Sequence, residues 1–296
     1  MAIAKRDTNF IPAIQGVSST DGETLTDVWV NATTNRTLVD SFDSFSPLEI
    51  ARGNVTGTTF IHKFGNAPDF DTGDGSVDIW DGSNDASPNL MSYTYSSTAD
   101  IDSLSSSDDS DTQDIEIQGL DSNFDLVTQT IALTGQTRVA LTTDLVRVFR
   151  LMNVGSTNNA GVIYCFKNVA TTGGVPDTLA NIRAMIAIGN NQTLMSLYTI
   201  PNGKTGYLSQ FYSSLSGVKK TADYQIDLFA RPSGQVFQLK HRSAIQDGGT
   251  THWSYIYDIP EKFTQKTDIA MKVSILTAAI TAASVSSGFD IILVDD

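Results

Sequence analysis

One cysteine in 296 residues removes several kinds of chemistry at once. Cys165 alone cannot build an intrachain disulfide framework or a cysteine-based zinc site. It stands in the alternating apolar run VIYCF, which predicts a buried thiol. No stretch approaches the roughly 18 apolar residues of a membrane helix. Lys5 and Arg6 are followed by Asp7, Thr8 and Asn9 rather than an apolar segment, so neither a secretory leader nor a lipid anchor is expected. The N-X-Ser/Thr triplets at Asn31, Asn35, Asn54 and Asn191 therefore carry little meaning. Catalytic signatures are missing as well: no HExxH, GxxxxGK[ST] or GxSxG, and no GxGxxG between a strand and a helix. The three histidines, His62, His241 and His252, lie in no Ser or Cys elbow and are expected at the surface or hydrogen-bonded. Carboxylates are too abundant for a glycosidase-like pair to stand out. No catalytic residue is predicted, and the chain is not expected to be an enzyme.

Basic residues are absent from Phe64 to Thr137, a window with 15 acids, while the other 18 acids face all 19 bases. The net charge of −14 is thus concentrated in one block. Such a surface repels nucleic acid. The window is expected to be a solvated, self-repelling face, with cation binding and docking onto a basic partner as the functional alternatives.

Charged residues make up only 18% of the chain, and Ser, Thr, Asn, Gly and Asp fill the difference. That is the composition of a turn-rich β-protein. From about Ile50 onward, period-2 runs recur between turn signals, the cadence of a sandwich or barrel. In Ile115–Gly135, Ile115 and Ile117 alternate with Glu116 and Gln118. Turn residues fill Gly119–Phe124, and alternation resumes at Thr128–Leu133. Further strands are predicted at Thr58–Lys63, Leu90–Ser96, Thr193–Ile200, Thr205–Ser214, Tyr224–Ala230 and Phe289–Val294, among others. The last is apolar on both faces after Asp290, which suits a central strand or a subunit interface. Asn202-Gly203 after Pro201 predicts a tight hairpin. Asp177 is a plausible N-cap for a short helix over Asp177–Ile188. Before all of these, residues 1–45 read as an extended arm. Ile11–Val17, Val28–Asn31 and Thr37–Val39 are short pieces with too little apolar content to fold alone.

Three blocks carry a family resemblance. VSSTDGETLTDVWVNATTNRTLV (Val17–Val39) pairs a Ser-Asp-Gly turn with short strands. The Ser-rich Ser103–Gln113 precedes the "GLD, turn, strand, LTG" unit ending at Gly135. TLMSLYTIPNGKTGYLSQFY (Thr193–Tyr212) completes the set. In order, and over about half the chain, they resemble virion structural proteins of tailed bacteriophages. The acidic SSDDSDTQD stretch departs from that pattern in being more charged and less glycine-rich. The resemblance implies a non-enzymatic capsid-surface decoration, auxiliary or neck protein, anchored by its arm. It implies a homotrimer contacting other virion proteins, such as the major capsid or neck and tail proteins, within a particle assembled in the host bacterial cytoplasm. The alternative is a glycan-binding tail fibre or spike module.

The fold expected is thus all-β: antiparallel, jelly-roll-like sandwiches with an extended N-terminal arm. The boundaries are an arm at 1–45, an acidic β-sandwich region at 46–190 and a C-terminal β region at 191–296, the last two able to share one sandwich. Two further features carry chemistry. Asp69, Asp71 and Asp74 alternate on a glycine-bent loop and could converge on calcium, although the fifth loop position is Gly73 and no Glu stands at the twelfth. Asp108, Asp109 and Asp111 form a weaker version. Trp253, Tyr255 and Tyr257 share one strand face, which suits aromatic packing in a core or interface, or stacking of a sugar.

Overall fold

The computed structural model describes residues 15–17, 25–27, 47–216, 223–246, 252–276, 280 and 282–296. Two compact units divide the chain, Met1–Glu49 and Ile50–Asp296. In the first, β1 (Gln15–Val17) and β2 (Leu25–Asp27) pair antiparallel, with Val17 opposite Leu25. The strands predicted at Val28–Asn31 and Thr37–Val39 lie outside the described residues.

A short helix, α1 (Pro47–Ala51), leads into the strands of the second unit. These are β3 (Thr58–Phe70), β4 (Val77–Asp78), β5 (Ile101–Ser106), β6 (Asp114–Leu120), β7 (Leu126–Ala132) and β8 (Val139–Leu145). Next come β9 (Arg147–Asn153), β10 (Ile163–Lys167), β11 (Thr171–Thr172), β12 (Val175–Pro176), β13 (Ile182–Ile186) and β14 (Leu197–Thr199). The last are β15 (Lys204–Ser216), β16 (Asp223–Arg231), β17 (Gln238–Gln246), β18 (His252–Phe263), β19 (Asp268–Ile275) and β20 (Ala283–Asp295). Every pairing between these strands is antiparallel, in an all-β, sandwich-like fold.

Two cores organise the unit. Sheet β18-β15-β20-β3 faces sheet β14-β19-β16-β17. Between them Phe211, Phe289 and Ile291 meet Tyr224, Ile226, Leu228, Met271 and Val273, all fully buried. The alternation of Tyr224, Ile226 and Leu228 predicted this inward face. The second core joins sheet β13-β10-β5-β8 to sheet β7-β6-β9 through Leu104, Ile163, Cys165, Ile117 and Leu151. Cys165 is fully buried, and burial pushes its thiol up to about 12. β3 and β4 belong to the sheets of the first core, so the start and end of this unit share one sandwich.

The predicted strand–turn–strand at Ile115–Gly135 is the β6–β7 hairpin, with Leu120 opposite Leu126. Its turn is closed by the Asp121 carboxylate, which accepts from the N–H groups of Asn123 (2.8 Å) and Asp125 (3.0 Å). Four expectations need correction. Asp177–Ile188 is not helical: a 3-10 turn at Leu179–Asn181 leads into β13, whose five residues are all buried, and a strand serves that burial better. Leu90–Ser96 forms no strand, because its polar backbone is used locally: the Tyr93 N–H donates to Asp78 and the Leu90 carbonyl accepts from Trp80 Nε1. The strand predicted over Thr193–Ile200 is confined to Leu197–Thr199. Pro201-Asn202-Gly203 is not a hairpin turn either. β14 pairs with β19 while β15 pairs with β18 and β20, so the turn carries the chain from one sheet of the sandwich to the other.

β20 lies between β15 and β3, which explains the apolar run at Phe289–Val294. Phe289, Ile291 and Leu293 enter the core, while Ile292 and Val294 stay half-buried on the other face.

Candidate functional site

The loop predicted to hold calcium is tied into a one-turn 3-10 helix over Thr72–Asp74. The Asp71 side chain accepts from the Gly73 N–H at 2.6 Å, and Asp74 Oδ2 accepts from the Asp71 N–H at 2.7 Å. This reciprocal cap uses an oxygen of each carboxylate to satisfy backbone donors. Asp69 is nearby at the end of β3, where its carbonyl accepts from the Asp85 N–H. The Asp85 carboxyl is pushed up, first by desolvation and then by the charges of Asp74, Asp71 and Asp69. Among the described residues, no group of three or more His, Cys, Asp or Glu side chains is arranged to hold a metal ion.

The acidic window is not wholly a solvated face, which corrects the expectation for it. Asp78, Asp81 and Asp111 are buried. Asp78 pairs with Lys272 at 2.9 Å and accepts from the Tyr93 N–H at 2.8 Å; burial outweighs both and raises its carboxyl. Asp81 accepts from the Leu194 N–H at 2.7 Å, and burial pushes it up to about 8. Asp111 takes Ser106 Oγ (2.5 Å) and the N–H groups of Ala160 (2.8 Å) and Gly161 (2.9 Å), which together outweigh burial and lower its carboxyl. Lys272, Leu194, Ala160 and Gly161 all lie outside the window, so its composition could not announce them. Asp108, in the weaker predicted cluster, instead closes its own turn onto Ser110.

The most heavily engaged charge is one the sequence did not single out. Asp268, at the start of β19, is buried and meets two guanidinium groups. Arg147 donates from Nε to Oδ1 at 2.8 Å and from Nη2 to Oδ2 at 3.1 Å. Arg231 donates to Oδ2 from Nε (3.0 Å) and Nη2 (2.5 Å), and Thr199 Oγ1 donates to Oδ1 at 2.6 Å. Arg147 reaches this position from the first residue of β9. There Gly119 lets the backbones close: a Cβ on it would sit 2.3 Å from the Arg147 carbonyl oxygen. The hub thus ties β9, β14, β16 and β19 together across both cores. Alternation gave no signal for it: Arg231 falls on the face of β16 opposite Tyr224, Ile226 and Leu228, where a charged residue is ordinary.

Two other constellations are built across strands. Asp290 on β20 accepts from His62 Nδ1 on β3 at 2.5 Å and also from Gln210 on β15. That bond leaves His62 Nε2 to accept from the Tyr212 hydroxyl at 3.3 Å. An acid that orients an imidazole is the second half of a nucleophile–base arrangement, but desolvation raises the Tyr212 hydroxyl and keeps it protonated. On β18, the Trp253 and Tyr255 rings stack with centroids 6.1 Å apart and planes 12° apart. Phe211 and His241 pack against both. Tyr257 closes the row edge-on to Tyr255 at 4.9 Å. Trp253 and Tyr257 are half-buried against the first core, so aromatic packing accounts for most of the predicted face. Tyr255 remains 39% exposed.

No family model and no curated protein matches the chain. Among solved structures, the crystal structure of the infectious bursal disease virus VP2 subviral particle aligns over 81% of this chain and 68% of that one, at 11% identity and a TM-score of 0.23. A likeness at that score bears on neither fold nor role. No helix among the described residues is long and apolar enough to cross a membrane.

Proposed function

We propose that this chain is a non-enzymatic structural component of a bacteriophage virion, a capsid-surface decoration, auxiliary or neck protein attached through residues 1–45. The observation that carries the reading is the division of the chain. Met1–Glu49 groups as a unit apart from the body Ile50–Asp296, and it contains the first of the three blocks that resemble phage virion proteins. The partners are the major capsid or neck and tail proteins and further copies of the chain, most simply as a homotrimer. Self-association is supported by β18, the outer strand of its sheet. A bulge sets Tyr257–Pro260 opposite Ser209 alone, and Ile256 and Ile259 there are 69% and 84% exposed. Bare apolar side chains on a sheet edge favour association.

Cosedimentation with purified particles tests the proposal. The full chain is expected to pellet with them, and a chain starting at residue 46 is expected to stay folded in the supernatant. Equal pelleting of both would remove the arm from the account. Light scattering is expected to give about three times 31.9 kDa, and a monomer mass in solution and on the particle would remove the trimer.

A second reading, a glycan-binding fibre or spike module, is favoured by the stacked Trp253 and exposed Tyr255. Removal of both rings would then abolish adsorption to host cells while leaving particle assembly intact.

A further inference from the structure

The Asp268 hub forms one wall of a cleft of about 530 Å³, a volume within the range of small-molecule sites. Arg147, Arg231 and Lys266 line it against the single carboxylate of Asp268, so it is locally cationic within a chain of net charge −14. The cations are held on aromatic faces. Arg231 lies 4.6 Å from the Tyr95 ring centroid and 4.5 Å from that of Phe237, while Arg147 lies 5.0 Å from Tyr95. Lys266 sits 5.5 Å over Phe124.

Arg147 is spent within the protein, donating to Asp268 and to the Ser96 and Val146 carbonyls, but Arg231 and Lys266 are not. Arg147 and Arg231 already neutralise Asp268, with one positive charge left over. Arg231 Nη1 has no hydrogen-bond partner among the described residues, and the Lys266 ammonium has no carboxylate partner among them. The backbone presents them at a cost. Phe124 (φ 67°) and Lys266 (φ 60°) both adopt the left-handed region, which a bulky side chain rarely enters. Two such residues meeting at one cleft fits strain retained at a functional position. The rest of the wall is rich in hydrogen-bonding side chains, among them Ser97, Ser233 and Gln235.

We propose that this cleft binds an acidic saccharide, with Arg231 and Lys266 taking the carboxylate and the Ser and Gln side chains taking the hydroxyls. A guanidinium edge fits a planar carboxylate through paired hydrogen bonds, and an ammonium beside it adds a point charge. Hydroxyl-rich walls select a polyol over a bare acid. The chain's overall negative charge opposes any anion at long range, so recognition rests on contacts inside the cleft. The lining residues named all belong to Ile50–Asp296, so failure of this proposal would leave the attachment reading standing.

Titration calorimetry on the full chain tests this with four probes: glucuronate, glucose, acetate and sulfate. Glucuronate is expected to bind at least about tenfold more tightly than each of the other three. Lys266→Gln, which leaves the Asp268 hub untouched, is expected to weaken glucuronate about tenfold while the melting temperature stays near that of the parent. Glucuronate no better than glucose, or binding unchanged in Lys266→Gln, would overturn the proposal. Acetate or sulfate equal to glucuronate would overturn the saccharide assignment, and no binding by any probe would overturn the site.

Discussion

Lys266 holds its ammonium 5.5 Å over the ring of Phe124, and both residues keep a left-handed backbone. A side chain with a Cβ pays about 1–2 kcal/mol for that conformation, while glycine does not. Lys266→Gly and Lys266→Ala both remove the ammonium, so comparing them isolates the strain. The glycine variant is expected to be more stable by about 1 kcal/mol in urea unfolding, with equal m-values. An alanine variant of equal or greater stability would show that no strain is stored there.

Asp81 carries a pH dependence of known sign. Its folded carboxyl titrates near 8 and its unfolded one near 3.8, so the folded state binds the extra proton between those values. Its stabilising contribution is therefore full below about pH 3.8 and lost as pH rises toward 8, with a slope of up to about 1.4 kcal/mol per pH unit. Asp81→Asn stays neutral and keeps an acceptor for the Leu194 N–H. The variant is expected to gain on the parent steadily from pH 5 to 8. A difference that is flat across this range would contradict a buried, proton-carrying Asp81.

Lys63 gives the opposite slope. It is buried, its ammonium donates to the Phe149 carbonyl, and desolvation lowers it well below 10.5, with the Arg150 charge acting the same way. Between its folded and unfolded values the unfolded state binds more protons, so stability rises with pH up to about 10.5. Lys63→Met removes the desolvated charge and keeps the length of the side chain. It is expected to raise stability at pH 7 by on the order of 1 kcal/mol or more, with the gain shrinking toward pH 10. A less stable variant at pH 7 would mean that the bond to Phe149 outweighs the burial.

Asp268→Asn strips the negative partner from Arg147, itself only 8% exposed. Breaking a buried pair in this way costs about 3–5 kcal/mol. Chemical denaturation is expected to show a loss of that order, and a change under about 1 kcal/mol would mean that the hub is held by its aromatic neighbours.

The antiparallel strands with one wet face were legible in the sequence, because alternation reports burial directly. Tyr224–Leu228 and the Asp121-closed hairpin are the clear cases. Local signals failed where the outcome depended on distant partners. Asn202-Gly203 makes a good turn whether or not its flanking strands pair, and nothing near it says that β14 and β15 join different sheets. Asp177 looks like a helix cap, yet the full burial of Ile182–Ile186 made a strand. The base-free window looked uniformly solvated, although Leu194, Ala160 and Gly161 supply the donors that bury two of its acids. Of the site residues, Asp69, Asp71 and Asp74 were visible as a cluster. The Asp268 hub was not, because its four side-chain members span positions 147 to 268 and converge only in the fold.

A density map of the intact particle tests the central claim most directly. The account predicts copies of the two-core body, Ile50–Asp296, on the head surface or at the neck, with residues 1–45 at the contact with the shell. Particles complete and infectious with no density for this chain, or density in which the body makes the contact and residues 1–45 point into solvent, would contradict it.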